Sequence, residues 1–299
     1  MRYLVVGLGN IGRKRQGILG PRCVATVDPY NPEADYSAAA ACADERYDAA
    51  VVSVPTRAKL DLLDYFLRRG KHVLVEKPLL FPDRGAAERL ESVARATGAI
   101  WYTSYNHRFE PLIVALKQQL DEETIGPLYH GRFAYGNGTV ASVSGSWRDS
   151  GLGVLEDLGP HLLDLTRYLL GEEASFTAWS LERHEATGGF DHCVLASADH
   201  RLVLEMSFLS WKNSFGIELV GSRGSLHLCG LPKWGTSELV VHHRVFPSGV
   251  PRETRQTVSG PDVTWERDLE HFETLPGAGR TSLDNDWWIS RTVREIACA

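Results

Sequence analysis

Apolar and polar positions change rhythm once along this chain. Up to about residue 105, short continuous apolar runs alternate with stretches whose apolar residues recur every three or four positions. The runs are Tyr3-Leu4-Val5-Val6, Cys23-Val24-Ala25-Thr26-Val27, Asp48 to Val54, His72-Val73-Leu74-Val75 and Ala99 to Thr103. Runs without polar alternation suit strands covered on both faces. Between them, Thr56 to Arg69 carries Leu60, Leu63, Phe66 and Leu67 at helical spacing and stops at Gly70. Asp83 to Thr97 predicts another helix, and so does the alanine-rich stretch Ala38 to Ala43. Helices joining buried strands call for right-handed crossovers, and hence an open, doubly wound parallel sheet.

After about residue 122 the helices thin out. Leu128–Tyr135, Ala174–Trp179, Cys193–Ala198, Leu202–Leu209, Phe215–Val220, Ser225–Leu228 and Leu239–His243 read as strands separated mostly by glycine or polar turns. One helix is predicted near 157–170, and the tail from about Ser282 to Cys298 is helical. The fold class expected is α/β, a doubly wound parallel domain over residues 1–122 and an α+β domain with a large, open, mainly antiparallel sheet over 123–299. The tail helix, about 282–298, is expected to pack back on the first domain.

The first strand runs straight into Gly7-Leu8-Gly9-Asn10-Ile11-Gly12, and the second ends in Asp28. Strand, glycine turn, helix, strand and acid in that order form the dinucleotide-binding arrangement. Gly7 permits the tight turn, Gly9 lets backbone amides approach a pyrophosphate, and Gly12 lets the helix sit close to the sheet. The helix N-terminus offers unpaired N–H groups to the anion. Asp28, about twenty residues on, is placed to meet the ribose hydroxyls of an adenosine. The alternative is a glycine-rich strand–helix turn with no ligand.

Composition narrows the partners. Of 299 residues, 32 are basic and 38 acidic, giving a net charge of −6 that argues against nucleic acid. No apolar run approaches a membrane span and Arg2 leads directly into the first strand, so cytoplasmic residence is expected. The five cysteines, Cys23, Cys42, Cys193, Cys229 and Cys298, lack metal-site or redox spacing. His242 and His243 are adjacent and point to opposite faces of a strand, so no metal site is expected.

Two further motifs carry chemistry. Glu76-Lys77-Pro78 closes the fourth strand, at the sheet edge where ligands bind in open α/β folds. A lysine there can hold a substrate hydroxyl beside a nicotinamide; the alternative is a surface lysine ending a strand. In Gly151 to Asp164, glycines precede a helix on which Asp157 and His161, four apart, share a face. Histidine titrates near neutrality and can exchange a proton with an alcohol oxygen. The alternatives are an Asp157 N-cap, a Pro160 in the first turn and a satisfied core histidine.

Together these segments, with Tyr105-Asn106-His107-Arg108-Phe109, resemble the glucose–fructose oxidoreductase / inositol dehydrogenase / MocA family, Gfo/Idh/MocA. The resemblance implies an NAD(P)-dependent oxidoreductase that moves a hydride between nicotinamide and a secondary hydroxyl or ketone carbon of a sugar, sugar derivative or cyclitol. It implies Lys77, Asp157 and His161 as the catalytic set, with His161 the acid/base, Lys77 on the reacting oxygen and Asp157 assisting. Gly7, Gly9, Asn10, Ile11, Gly12, Asp28, Glu76 and Lys77 would meet the coenzyme. Asn106, Arg108, Trp147 and Arg148 are candidate substrate contacts. It also implies a homodimer or homotetramer through the second domain's sheet.

NAD is favoured over NADP, since Asp28 would repel a 2′-phosphate and Pro29-Tyr30 supplies no adjacent arginine. Arg13-Lys14-Arg15 reads as a basic helix surface near the pyrophosphate, one of which could reach a 2′-phosphate. Two other readings compete: a reductase of a non-carbohydrate substrate, like the bilin reductases, and a catalytically silent NAD-binding sensor. Asp157 and His161 weigh against the first, and the joint presence of Lys77, Asp157 and His161 weighs against the second.

Overall fold

A computed structural model describes residues 1–138, 143, 145, 149–171, 173–185, 188–279 and 281–298. The chain forms two compact units, Met1–Asn106 with Trp265–Arg291, and His107–Thr264 with Thr292–Ala299.

In the first unit, strands β1 (Tyr3–Val6), β2 (Cys23–Val27), β3 (Ala49–Val52), β4 (His72–Glu76) and β5 (Trp101–Ser104) form one sheet. Their order is β2-β1-β3-β4-β5 and every pairing is parallel. Helices α1 (Asn10–Leu19), α2 (Thr56–Leu67) and α3 (Arg84–Thr97) make the crossovers. A period of two is hidden inside the apolar runs. Leu4, Val6, Ala50, Val52, Val73 and Val75 face one core with Leu63, Phe66 and Leu90. Tyr3, Val5, Ala49, Val51 and Leu74 face the other with Leu19, Leu269 and Phe272. Both faces are dry, which is why the runs show no polar alternation.

The helix expected over Ala38–Ala43 does not form. That stretch holds only a single 3-10 turn, Ala39–Ala41. Six residues cannot repay helix nucleation, and the chain before them is already bound to β2. Tyr36 bridges Val27, and the Asp35 carboxylate accepts from the Thr26 amide and hydroxyl, both at 2.8 Å.

In the second unit, helix α4 (Pro111–Asp121) leads into strand β6 (Leu128–Gly136). Helices α5 (Val154–Asp157) and α6 (Gly159–Leu170) follow, then β7 (Phe176–Glu182), β8 (His192–Ser197), β9 (Leu202–Ser207), β10 (Ser214–Gly221), β11 (Gly224–Cys229), β12 (Ser237–His243) and β13 (Arg252–Val258). The eight strands run in the order β13-β12-β11-β10-β6-β9-β8-β7, antiparallel except for β6 with β9. Alternation is clear in β10, where Phe215, Ile217 and Leu219 are buried and Glu218 is exposed. Strand β13 escaped the sequence reading because it is a polar edge strand, Arg-Glu-Thr-Arg-Gln-Thr-Val, with six of seven residues exposed. It is held by its ladder to β12 and by Arg255 on Glu238.

Two helices close the chain, α7 (Thr264–Thr274) and α8 (Leu283–Ala297). Helix α7 was not expected, because its inward stripe is mainly Leu269 and Phe272 in an otherwise polar segment. Helix α8 anchors the first unit's edge strand through Asp286. This fully buried carboxylate accepts from Trp101 Nε1 (3.1 Å), Thr103 Oγ1 (2.8 Å), Tyr105 Oη (3.2 Å) and Ser282 Oγ (2.6 Å). No helix among the described residues is long and apolar enough to cross a membrane.

Burial pushes the Asp286 carboxyl up to about 6, with its four donors opposing the rise. An unfolded aspartate titrates near 3.9, so between about pH 4 and 6 the folded form binds a proton that the unfolded chain does not. Stability from this group therefore rises as pH falls through about 6, by up to about 3 kcal/mol. Urea unfolding of wild type and Asp286→Asn should show the wild type gaining on the variant from pH 6.5 down to 4, these bounds being roughly the two pKa values. A constant difference across that range would contradict the assignment.

Candidate active site

The carboxyl edge of the first unit's sheet is built by β1 and β3, the strands at its switch point. Gly7 follows β1 with φ +90°, donates to Val27 O (2.8 Å), and lies so close to β3 that a Cβ would sit 2.4 Å from Ser53 O. At Gly12 a Cβ would meet Gly7 O at 1.7 Å. Gly9 differs, since nothing lies within 4 Å of a Cβ built there. The open side of the turn therefore faces outward at the N-terminus of α1, where Gly9, Asn10 and Ile11 are exposed and no acidic residue occupies the first turn. The first amides of a helix lack intrahelical acceptors. The space over Gly9 and the free helix start fit a pyrophosphate.

Asp28 lies at the end of β2, as the motif requires. Its Oδ2 accepts from Leu8 N (2.8 Å), and its Oδ1 from Tyr30 N (2.8 Å) and Asn31 N (3.1 Å). Partial burial opposes its ionised form, yet these three amides outweigh it and hold the carboxyl below the usual carboxylate range. A carboxylate fixed to the glycine turn in this way presents negative charge where adenosine ribose would lie.

The basic triplet is not a uniform helix surface. Arg13 is exposed and tied to Glu33 at 2.5 Å, and Lys14 lies 4.4 Å over the Trp265 ring. Arg15 is fully buried, correcting the expectation that all three are surface groups. Its Nε donates to Glu76 Oε1 (2.8 Å), its Nη2 to Asp268 Oδ2 (2.6 Å) and Ser104 Oγ (2.6 Å), and its Nη1 to Trp265 O (3.1 Å). Glu76 is thus a buried partner of Arg15. Burial pushes its carboxyl up, with Arg15 opposing. Lys77 follows, partly exposed, and its bond to Pro78 is cis.

In the second unit, the helix expected over 157–170 is interrupted. Asp157 ends α5, and α6 begins at Gly159. Pro160 has no N–H for a fourth-residue bond, and the His161 amide turns instead to Leu158 O (3.1 Å). Asp157 and His161 therefore belong to two short helices rather than one regular face. Of the glycines before them, Gly153 has a packing role, since a Cβ there would lie 2.2 Å from Phe190 O.

His161 is 5% exposed and Asp157 2%. The His161 ring stands edge-on to His107 at 4.1 Å between centroids, with Tyr135 at 5.9 Å. His107 in turn lies against Phe215 and Tyr135. Arg108 is engaged by Asp164 of α6, its Nε reaching Oδ2 at 2.9 Å. Asn106, in the first unit, is buried. Trp147 and Arg148 lie outside the described residues.

Sequence reading passed over His107, although it lies within a segment already singled out. It also missed Lys59, Asp268 and the burial of Arg15. Lys59 falls on the helical stripe with Leu63 and Phe66, which was the available signal. Among the described residues no cluster of His, Cys, Asp and Glu could hold a metal.

The two tight glycines and the open one separate a structural turn from a binding turn. Gly9→Ala should leave thermal stability unchanged and weaken NADH binding about tenfold or more, the equivalent of one charge-assisted hydrogen bond. Gly12→Ala should unfold the turn itself and lower the melting temperature. Unchanged NADH affinity in Gly9→Ala, read by fluorescence titration, would make the turn purely structural.

Comparison with known proteins agrees with this fold. Residues 29–105 match a family profile described as oxidoreductase family, NAD-binding Rossmann fold, and residues 113–227 match the GFO/IDH/MocA C-terminal domain. Inositol 2-dehydrogenase of Rhizobium meliloti is 28% identical over 190 residues, 58% of this chain and 56% of that protein. A dTDP-3,4-didehydro-2,6-dideoxy-alpha-D-glucose 3-reductase of Actinomadura kijaniata is 36% identical over 146 residues, 47% and 43% of the two chains. The chain thus spans about half the length of these relatives.

Among solved structures, an oxidoreductase from Agrobacterium radiobacter in complex with NAD+, L-tartaric acid and magnesium superposes with a TM-score of 0.81 at 19% identity, covering 100% of this chain and 96% of that one. A 3-ketoreductase from Actinomadura kijaniata, in complex with NADP and TDP-benzene, gives 0.81 at 20% identity, covering 100% and 97%. At such identity these structures speak to the fold. With both domain profiles matched, one over residues 29–105 and the other over 113–227, the chain belongs to the Gfo/Idh/MocA family of oxidoreductases.

Proposed function

We propose that this protein catalyses hydride exchange between a nicotinamide coenzyme and a secondary carbinol or ketone carbon of a sugar, sugar derivative or cyclitol. The observation that carries the reading is the open Gly9 turn backed by Asp28, in a chain that also holds Lys77, Asp157 and His161. Relatives named for inositol and for a dTDP-sugar support the substrate class.

When bound, the coenzyme supplies or accepts the hydride. The first-turn amides of α1 hold its pyrophosphate and Asp28 its ribose. NAD is favoured over NADP, because Asp28 is held ionised and Arg13 is already paired with Glu33. Lys77 hydrogen-bonds the reacting oxygen. His161 takes the hydroxyl proton on oxidation and returns it on reduction, with Asp157 assisting.

Asn106, Trp147 and Arg148 are proposed substrate contacts. The fork of Arg108 on Asp164 favours a different task for Arg108, holding the start of α6 that carries His161. Removing the imidazole should slow the chemical step about a hundredfold or more. His161→Ala with near-normal turnover on the true substrate, and unchanged NADH affinity, would remove His161 from this role.

The second unit's eight-stranded sheet is proposed as the contact between copies, giving a homodimer or homotetramer. Light scattering at micromolar concentration should read a multiple of the chain mass, and NADH should bind more tightly than NADPH. A monomer, or the reverse coenzyme preference, would remove the corresponding part of the proposal.

A further inference from the structure

We propose that Arg15 and Lys59 are positioning residues that clamp the Glu76–Pro78 turn from both sides and so set where Lys77 presents its ammonium group. The inference rests on the oxidoreductase reading above for the use of Lys77, but the clamp itself is built wholly within the first unit.

Lys59, on α2, is 2% exposed, and its Nζ donates to Pro78 O at 2.7 Å. Arg15, on α1, is fully buried and holds the Glu76 carboxylate at 2.8 Å. One cation therefore fixes the residue before Lys77 and the other fixes the residue after it. The chain beyond is tied as well, with Phe81 N donating to Ser290 Oγ (3.1 Å), whose own hydroxyl donates to Asp286 O of its helix (2.6 Å).

Sinking cations into a core is costly unless each is partnered. Here the set balances, with Arg15 and Lys59 against Glu76 and Asp268, and Lys59 is near enough to favour the charge on Glu76. Packing alone does not call for a lysine at position 59. Its stripe neighbours Leu63 and Phe66 show that apolar side chains fill this face. A buried ammonium that donates to the backbone carbonyl beside Lys77 suits a part that sets geometry. Small displacements of a group that must meet a reacting atom have large kinetic consequences.

The test uses the full chain and reads Lys77 directly. Wild type, Lys59→Met, Lys59→Arg and Arg15→Lys are treated with acetic anhydride over a range of pH. Acetylation of Lys77 is measured by mass spectrometry relative to the exposed Lys212, alongside melting temperature and NADH affinity.

The clamp predicts that Lys59→Met changes the relative reactivity of Lys77 by about threefold or more, while NADH affinity holds. Lys59→Arg, which keeps a donor within reach of Pro78 O, should restore it. Where turnover is measurable, Lys59→Met should lower kcat about tenfold or more with the coenzyme KM unchanged.

Folded Lys59→Met with Lys77 reactivity equal to wild type overturns the clamp. If Lys59→Met does not fold, Arg15→Lys decides by the same ratio, because it keeps the buried charge and loses the fork on Glu76 and Asp268. A wild type that oxidises or reduces no sugar or cyclitol refutes the oxidoreductase reading, while the clamp is still decided by the labelling.

Discussion

A buried arginine organises the first unit. Arg15 has no exposed surface, and its guanidinium gathers Glu76 from β4, Ser104 from β5, and Asp268 with the Trp265 carbonyl from α7. Each ion alone would be expensive to desolvate, so the elements must stay in register for the charges to be matched. Removing one member of such a network typically costs about 3–5 kcal/mol, because a charge is stranded. The consequence is a fixed relation between the helix that starts at the glycine turn and β4, which ends at Glu76 just before Lys77. In the proposed function the turn would offer amides to a pyrophosphate, and the strand end would offer Lys77 to a reacting oxygen. One salt-bridge cluster holds both within the same rigid layer.

The strands of the first unit were legible because both of its faces are apolar, so burial left uninterrupted runs such as Ala49 to Val52. The second sheet was legible for the opposite reason. Its residues alternate between a dry face and a wet one, as in Ile217, Glu218 and Leu219. What escaped were elements whose stability comes from elsewhere. Strand β13 is polar throughout and exists through its ladder to β12. Helix α7 has a thin apolar stripe, and its most telling residue, Asp268, reads as a solvated acid until Arg15 is found beside it. Alanine content at 38–43 promised a helix, but local bonds of Asp35 and Tyr36 to β2 took that segment first.

The candidate site followed the same division. Residue types that chemistry demands, such as Gly9, Asp28, Lys77 and His161, stand out by kind and spacing. The parts that support them do not, because charge in a sequence carries no sign of burial. Arg15 reads like Arg13, yet one is enclosed and the other meets Glu33 at the surface. Arg108 reads like a hand for a substrate and is engaged by Asp164. Pro160 breaks what spacing alone predicts as a single helix face, and His107 becomes visible only when its ring is found against His161.

The central claim is that this chain moves a hydride between a carbinol carbon and a nicotinamide. The most direct measurement supplies NAD+ with a panel of cyclitols and sugars carrying deuterium on their carbinol carbons, and analyses the coenzyme by mass spectrometry. Deuterium appearing in the reduced nicotinamide with at least one member of the panel is the predicted result. Protein that binds NADH yet leaves the coenzyme unlabelled with every cyclitol, sugar and nucleotide-linked sugar would contradict the account.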